Sequence, residues 1–449
     1  MFRLRQKTRR QLCRAGFLIG CLLPTLALVL WGTFRHTSLY AKRLELSLEQ
    51  SLGLRVHVSE VVHKRPGLLC YQDLQLYDAE SGTPVATCDT VTVRMSNTGG
   101  PTDVSVGGLL LEHGGLTACF ALLDRILRTG HSANECRLQI RFEQVIFADT
   151  IDADSLTDAS VSIRMSNFES EALLSMVPAG QGSADGSSAD KILLKIVRTR
   201  KSPAPITSEW ELHTNKHAIP CTWLSAISGD LPQLQGSYFR GSCKAQDAES
   251  GGPVVVLGTF SGINIGGLAN TYLDRSLDST VDVELTEPAR FRGGRLDYMQ
   301  ARVVGGPGRI SRSLRDALST SLGCSSHYNP QDSDGMVPYA HLDLEFRIDS
   351  RGQFAVAGRC NRSGAMLVDG DNRALLAAPR TELQPQSVLN LVRGLADDNG
   401  PPIPATPSSI LLLERLPLPV SSAVSPVSGA ARTPGRSPAA ARPSDSERR

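Results

Sequence analysis

Val91-Thr-Val-Arg-Met-Ser-Asn97 returns further along the chain as Val161-Ser-Ile-Arg-Met-Ser-Asn167. Apolar and polar side chains alternate in both copies, the period of a strand with one buried face. Ahead of each copy stands another alternating stretch that ends in aspartate, Leu74-Gln-Leu-Tyr-Asp78 and Val145-Ile-Phe-Ala-Asp149. One unit used twice argues for the extension of a single sheet.

Upstream of the first copy, Leu54, Val56 and Val58 alternate with Arg55, His57 and Ser59, and Ala79–Pro84 (AESGTP) reads as a turn. Before them the period is helical, with Tyr40, Leu44, Leu48 and Leu52 on one stripe and Gly53 as the stop. An amphipathic helix separates the two copies, carrying Leu116, Cys119, Phe120, Leu123, Ile126 and Leu127, with Gly130 after it. Gln181–Asp190 (QGSADGSSAD) reads as a loop. Strands resume in KILLKIVRTR, SEWELHT, GSYFRGSCKA, VVVLGTFSGINI, TVDVELTEPARF and RLDYMQARVVGG. Ile310, Leu314, Ala317, Leu318 and Leu322 mark a short helix, HLDLEFRID with GQFAVAGRC a hairpin, and Val388–Leu395 a last helical stretch. The chain thus divides into a basic segment 1–14, an apolar segment 15–34, a first β-rich region 35–180, a second 191–418, and a disordered Pro/Ala/Ser/Arg tail 419–449.

The segment Ala15–Phe34 holds no charged side chain, and as a helix its ~20 residues would span a ~30 Å hydrocarbon core. Six basic residues precede it, Arg3, Arg5, Lys7, Arg9, Arg10 and Arg14, with no acidic one. The expected topology is a single-pass signal anchor in the inner membrane, its N-terminus cytoplasmic and its bulk periplasmic. Cleavage after Ala41 is disfavoured by Leu39 two positions before it.

The formal charge is only +2, so no field for nucleic acid is implied. Of ten cysteines, Cys13 and Cys21 lie at or within the apolar segment. Sequence order suggests Cys70–Cys88, Cys119–Cys136, Cys221–Cys243 and Cys324–Cys360 as disulfides, while small buried thiols are an equal alternative. His213, His217 and Cys221 have ligand-like spacing, but Pro220 and the preceding strand pattern argue for strand-end and loop residues. Asp149, Asp152, Asp154 and Asp158 lack the central Gly and final Glu of a calcium loop and read as a solvated turn. Gly305-Gly-Pro-Gly308 lacks the Gly-Lys-Ser/Thr ending of a phosphate loop and reads as a strand-to-helix turn. No Gly-x-Ser-x-Gly elbow or His-Glu-x-x-His helix occurs. No catalytic, cofactor-binding or metal residue is assigned, and the expectation is a protein that is not an enzyme.

The apolar anchor, the helix Tyr40–Leu52, the segment Arg65-Pro-Gly-Leu-Leu-Cys-Tyr-Gln-Asp-Leu-Gln-Leu-Tyr-Asp-Ala-Glu-Ser-Gly82 and the strand Val91–Arg94 together resemble the AsmA-like proteins of bacterial envelopes, a group related to TamB and to bridge-like lipid-transfer proteins. Gly258–Ile265, Leu285 and Arg295–Arg302 look like the later strands of that group. The resemblance implies an envelope-biogenesis role, with membrane and lipid as partners and lipid held or passed along an apolar groove. The fold expected is mainly β: an elongated, twisted antiparallel sheet or groove with short amphipathic helices at its ends. Strand alternation places Val56, Val58, Leu74, Leu76, Val91, Val93, Val161 and Ile163 on the groove face. The alternatives are a scaffolding envelope protein whose core is filled by its own side chains and, third, an exported hydrolase.

Overall fold

The computed structural model describes residues 6–387 apart from 35–36, 66, 96–100, 113, 130–135, 149–154, 179–190, 201–205, 228–233, 235, 247–251, 267–276, 327–334, 362–363 and 385–386. The helical stretch expected at Val388–Leu395 and the tail 419–449 lie outside the described residues.

The chain opens with α1 (Gln6–Phe17), a π-helical segment (Leu18–Leu22) and α2 (Leu23–Phe34), which follow one another without a break. The π turn has a cause. Pro24 has no N–H and its ring would crowd the carbonyl four residues back, so the ladder widens just before it, with the Leu23 N–H bonded to the Leu18 carbonyl. Among the described residues no single helix is long and apolar enough to cross a membrane. Next comes α3 (Ser38–Leu52), closed by Gly53 in the left-handed region at φ 65°, where sequence placed the stop.

Strands β1 (Arg55–Arg65), β2 (Leu68–Tyr77), β3 (Pro84–Arg94) and β4 (Thr102–Leu111) form an antiparallel meander. Then α4 (Gly115–Thr129) crosses over and β5 (Cys136–Phe147) returns parallel to β4, Thr102 beside Leu138 and Leu111 beside Phe147. The sheet is therefore mixed, which corrects the expectation of a purely antiparallel one. A crossover that carries a helix brings the chain back to the end where β4 began, whereas a hairpin would have reversed it.

Antiparallel order resumes through β6 (Ser155–Met165), β7 (Glu169–Pro178), β8 (Ile192–Thr199) and β9 (Thr207–His213). After β10 (Ile219–Pro220) and α5 (Cys221–Ile227), β11 (Tyr238–Gln246) pairs with β9, and β12 (Pro253–Asn264) pairs with β11. Following β13 (Leu277–Asp278), the sheet continues with β14 (Thr280–Arg292) and β15 (Arg295–Gly305). Then come β16 (Gly308–Ser311), α6 (Arg312–Leu322), β17 (Ser325–Ser326) and β18 (Met336–Tyr339). β19 (His341–Ile348) lies beside β15 and shares its other side between β20 (Phe354–Gly358) and β21 (Ala365–Val368). β22 (Ala374–Ala377) pairs with β21 and β17, while β13, β16 and β18 make a separate three-stranded sheet.

Several readings need correction. Ile310 belongs to β16 rather than to the helix, and Gly305–Gly308 joins two strands rather than a strand and a helix. A Cβ on Gly308 would fall 2.5 Å from the Asp278 carbonyl, so glycine there serves close strand approach. None of the described cysteines is joined to another. The register explains one case: Cys70 faces Thr92 and Cys88 faces Leu74, four positions apart along the strands. β4 and β7 were not read as strands, and both copies of the echo lie in the sheet two residues out of level. The row through Val93 runs by Val104 and Ile140 to Val161, not to Ile163.

A crease crosses the first six strands. In each of them strict alternation breaks once, so that two polar or glycine residues separate two inward-facing ones: Val58/Val61, Tyr71/Leu74, Cys88/Val91, Val106/Leu109, Phe142/Val145 and Leu156/Ala159. The breaks share one level in the register, since Val58 faces Leu74, Leu74 faces Cys88, Cys88 faces Leu109 and Leu109 runs beside Val145. Positive φ at Asp73 (49°), Gly108 (61°) and Asp158 (52°) coincides with the break on every second strand. Because the break falls in neighbouring strands together, the register runs through it without a shift, and the apolar side chains on both sides of it belong to one core spanning β1 to β15.

Candidate functional site

Cross-strand partners in a sheet share a face, so the register traces an apolar surface from strand to strand. One row runs Val93, Val104, Ile140, Val161, Leu174, Leu194, Leu212, Cys243, Val256, Ala289. A second runs Phe239, Phe260, Val283, Val303, Leu344. The opposite face carries charge in alternation: Glu211 stands between Lys195 and Lys244, and Lys195 and Lys244 pair with Glu171 at 3.0 Å and Glu209 at 2.6 Å. The Lys244 ammonium hydrogen-bonded to Glu209 holds that carboxyl below its usual range, and Glu171 raises the Lys195 ammonium.

The eight residues that the sequence assigned to a groove lie on the apolar face of the sheet in two different settings. Val56, Val58, Leu74 and Leu76 are buried in the packed core, where Val56 faces Leu76 and Val58 faces Leu74. Val91 and Val93 are half-buried at the margin of that core. Val161 and Ile163 lie further along the face under α4 and border a cavity of about 220 Å³ between that helix, α5 and β4 to β9. Its walls include Phe120, Ile140, Phe142 and Met176, and among the described residues Ser160 and Ser175 are their only non-apolar members.

Two elements that sequence reading treated as ends prove to be covers. In α3 the stripe Tyr40, Leu44, Leu48, Leu52 packs on the core, while Glu49 and Glu45 accept hydrogen bonds from the backbone N–H of Val56 (3.1 Å) and Val58 (2.9 Å). These carboxylates occupy the open edge of β1. α4 lies across the apolar face and is fastened at its C-terminal end. Asp124 is ion-paired with Arg198, an arginine nearly buried on the inner face of β8, and Arg200 donates to the carbonyl of Arg128. Arg125 donates to the Leu52 carbonyl at 2.9 Å, joining α4 to the end of α3. Sequence reading missed Asp124 and Arg198. Arg198 falls two positions beyond Ile196 in an alternating strand, which was the available signal.

Chemical groups elsewhere stay apart. His213 pairs with Glu211 at 3.0 Å on the outer side of β9, His217 is buried in the following turn, and Cys221 opens α5. Asp158 pairs with Lys191, while Asp149, Asp152 and Asp154 lie outside the described residues. Among the described residues no three His, Cys, Asp or Glu side chains gather as a metal site. Burial pushes the Cys88 and Cys119 thiols up to about 12 and about 11, so neither is a thiolate at neutral pH. The arrangement is suited to holding hydrocarbon.

The chain matches no protein-family model and no curated protein.

Proposed function

We propose that the protein is a membrane-tethered, non-enzymatic envelope protein of AsmA-like type that holds lipid acyl chains against the apolar face of its sheet. The observation that carries the reading is the cavity beneath α4, whose described wall residues are apolar apart from two serines. A cavity of about 220 Å³ exceeds the ~150 Å³ that suffices for benzene in an apolar interior. Supporting the tether, the apolar side chains of 17–30 stand exposed, with Ile19 at 68 % and Leu28 at 65 %. The helical path over 6–34 is interrupted only by a π turn that stays in right-handed geometry, so α1 and α2 together supply the length. Six arginines and lysines ahead of residue 15 favour a cytoplasmic N-terminus and an inner-membrane location with the sheet in the periplasm.

The test is photocrosslinking in membranes that carry the full chain, using a phospholipid with a diazirine at mid-chain. Adducts are expected on α4, β5 and β6. Val161→Asp puts a charge on a half-buried cavity wall and should lower that labelling at least tenfold with the melting transition retained. Ile163→Asp buries a charge at a site only 1 % exposed and should unfold the protein. The tight burial of Val56, Val58, Leu74 and Leu76 favours a second reading, a scaffold filled by its own side chains. Labelling of folded wild-type protein that never reaches the sheet face would select it.

A further inference from the structure

A second chamber lies at the far end of the sheet. It measures about 280 Å³ and is bounded by α6 (Leu314, Leu318, Leu322) on one side and by β19 to β22 on the other. Every described residue on its wall is apolar, Cys324 included. It belongs to a core of its own, centred on Ile310, Leu322, Leu342, Leu367 and Leu376. That core meets the first one through Phe260, Val283 and Phe346, which are half-buried and pack against both.

We propose that this chamber is a second lipid site, which takes the methyl end of an acyl chain whose polar head stays outside. The occupant follows from the wall. A headgroup, a carboxylate or a water needs polar partners, and the described residues of the wall present none. An unbranched hydrocarbon needs only contact surface. At roughly twice the ~150 Å³ that holds benzene, the space accepts on the order of ten carbons. The chamber lies on the same sheet face as the cavity under α4, and the row Phe260, Val283, Val303, Leu344 leads from one toward the other. The choice of an acyl chain over other hydrocarbons rests on the lipid-holding function proposed above; the existence of a separate site does not.

The experiment uses the full chain in phospholipid vesicles and hexadecanoic acid with a diazirine at its terminal carbon. Adducts mapped by peptide mass spectrometry should include residues of α6 or of β21 and β22. Leu318→Trp fills the chamber from the helix side and Val356→Phe from the sheet side. Each should reduce those adducts at least tenfold and leave adducts on α4, β5 and β6 unchanged; two variants guard against one that fails to fold, as read by thermal melting. Folded wild-type protein without adducts on α6, β21 or β22 overturns the second site, and so does undiminished labelling in a folded filled variant. Adducts there with none beneath α4 would sustain the second site while removing the first.

Discussion

At the residue scale, the sheet depends on a few positions where only one side chain fits. Gly241 and Gly258 face each other across β11 and β12. A Cβ on Gly258 would lie 2.2 Å from the Arg240 carbonyl oxygen and 2.7 Å from the Gly241 Cα. Neither obstacle is a flexible side-chain end, so Gly258→Ala must push β11 and β12 away from each other. We expect a loss of about 3 kcal/mol by chemical denaturation; a loss under about 1 kcal/mol would show that the strands give way. Buried thiols supply a pH dependence. Cys88 rises from 9.0 to about 12 and Cys119 from 9.0 to about 11, both through burial that disfavours the thiolate. A pKa raised on folding gives stability that is complete below the unfolded value and lost as pH climbs through the folded one. The contribution should therefore be constant below pH 9 and fall between 9 and about 12. A Cys88→Ala/Cys119→Ala variant should show a shallower decline in that window, and an identical slope would remove the assignment.

Among the elements, α3 and α4 do different work from that suggested by their apolar stripes. The stripe of α3 explains how it packs, but Glu45 and Glu49 explain why it sits at β1. An edge strand with unpaired N–H groups invites pairing with another chain, and the two carboxylates occupy the groups of Val56 and Val58. Changing both to alanine should cost about 1.5 kcal/mol for each charge-assisted bond and shift the protein toward dimers or larger species in light scattering. A double variant with the wild-type scattering mass and an unchanged midpoint would mean the edge is protected by other means. In α4 the same kind of stripe faces a cavity, and the helix is secured by Asp124 and Arg198 rather than by close apolar contact along its whole length.

For the whole molecule, the sheet is a chain of nearest-neighbour strand pairs in almost sequence order, with one parallel step at β4 and β5. Each strand depends mainly on its two neighbours, so no contact with α1 or α2 is needed to hold the sheet. Deleting residues 1–37 should leave a body that melts at the wild-type midpoint and no longer sediments with membranes. Sedimentation of the shortened protein with membranes would show that the sheet itself binds them, and a lowered midpoint would show that the helices stabilise it.

The sequence alone determined most of the strands and the apolar face of each, because side-chain alternation in a strand is a local property, while β4, β7 and the short β16 escaped it. It placed Gly53 at the end of α3, since positive φ is a property of one residue. It also contained the crease: Val58-Ser-Glu-Val61, Tyr71-Gln-Asp-Leu74, Cys88-Asp-Thr-Val91, Val106-Gly-Gly-Leu109, Phe142-Glu-Gln-Val145 and Leu156-Thr-Asp-Ala159 share one pattern. Each instance by itself reads only as a strand with a defect. That the six defects fall side by side depends on register, and register is fixed by pairing between strands far apart in sequence. For the same reason only the tertiary structure decided that Val56 and Leu76 fill a core while Val161 borders a cavity. Both have the same local pattern, and what covers each is a helix whose position no short stretch of sequence encodes.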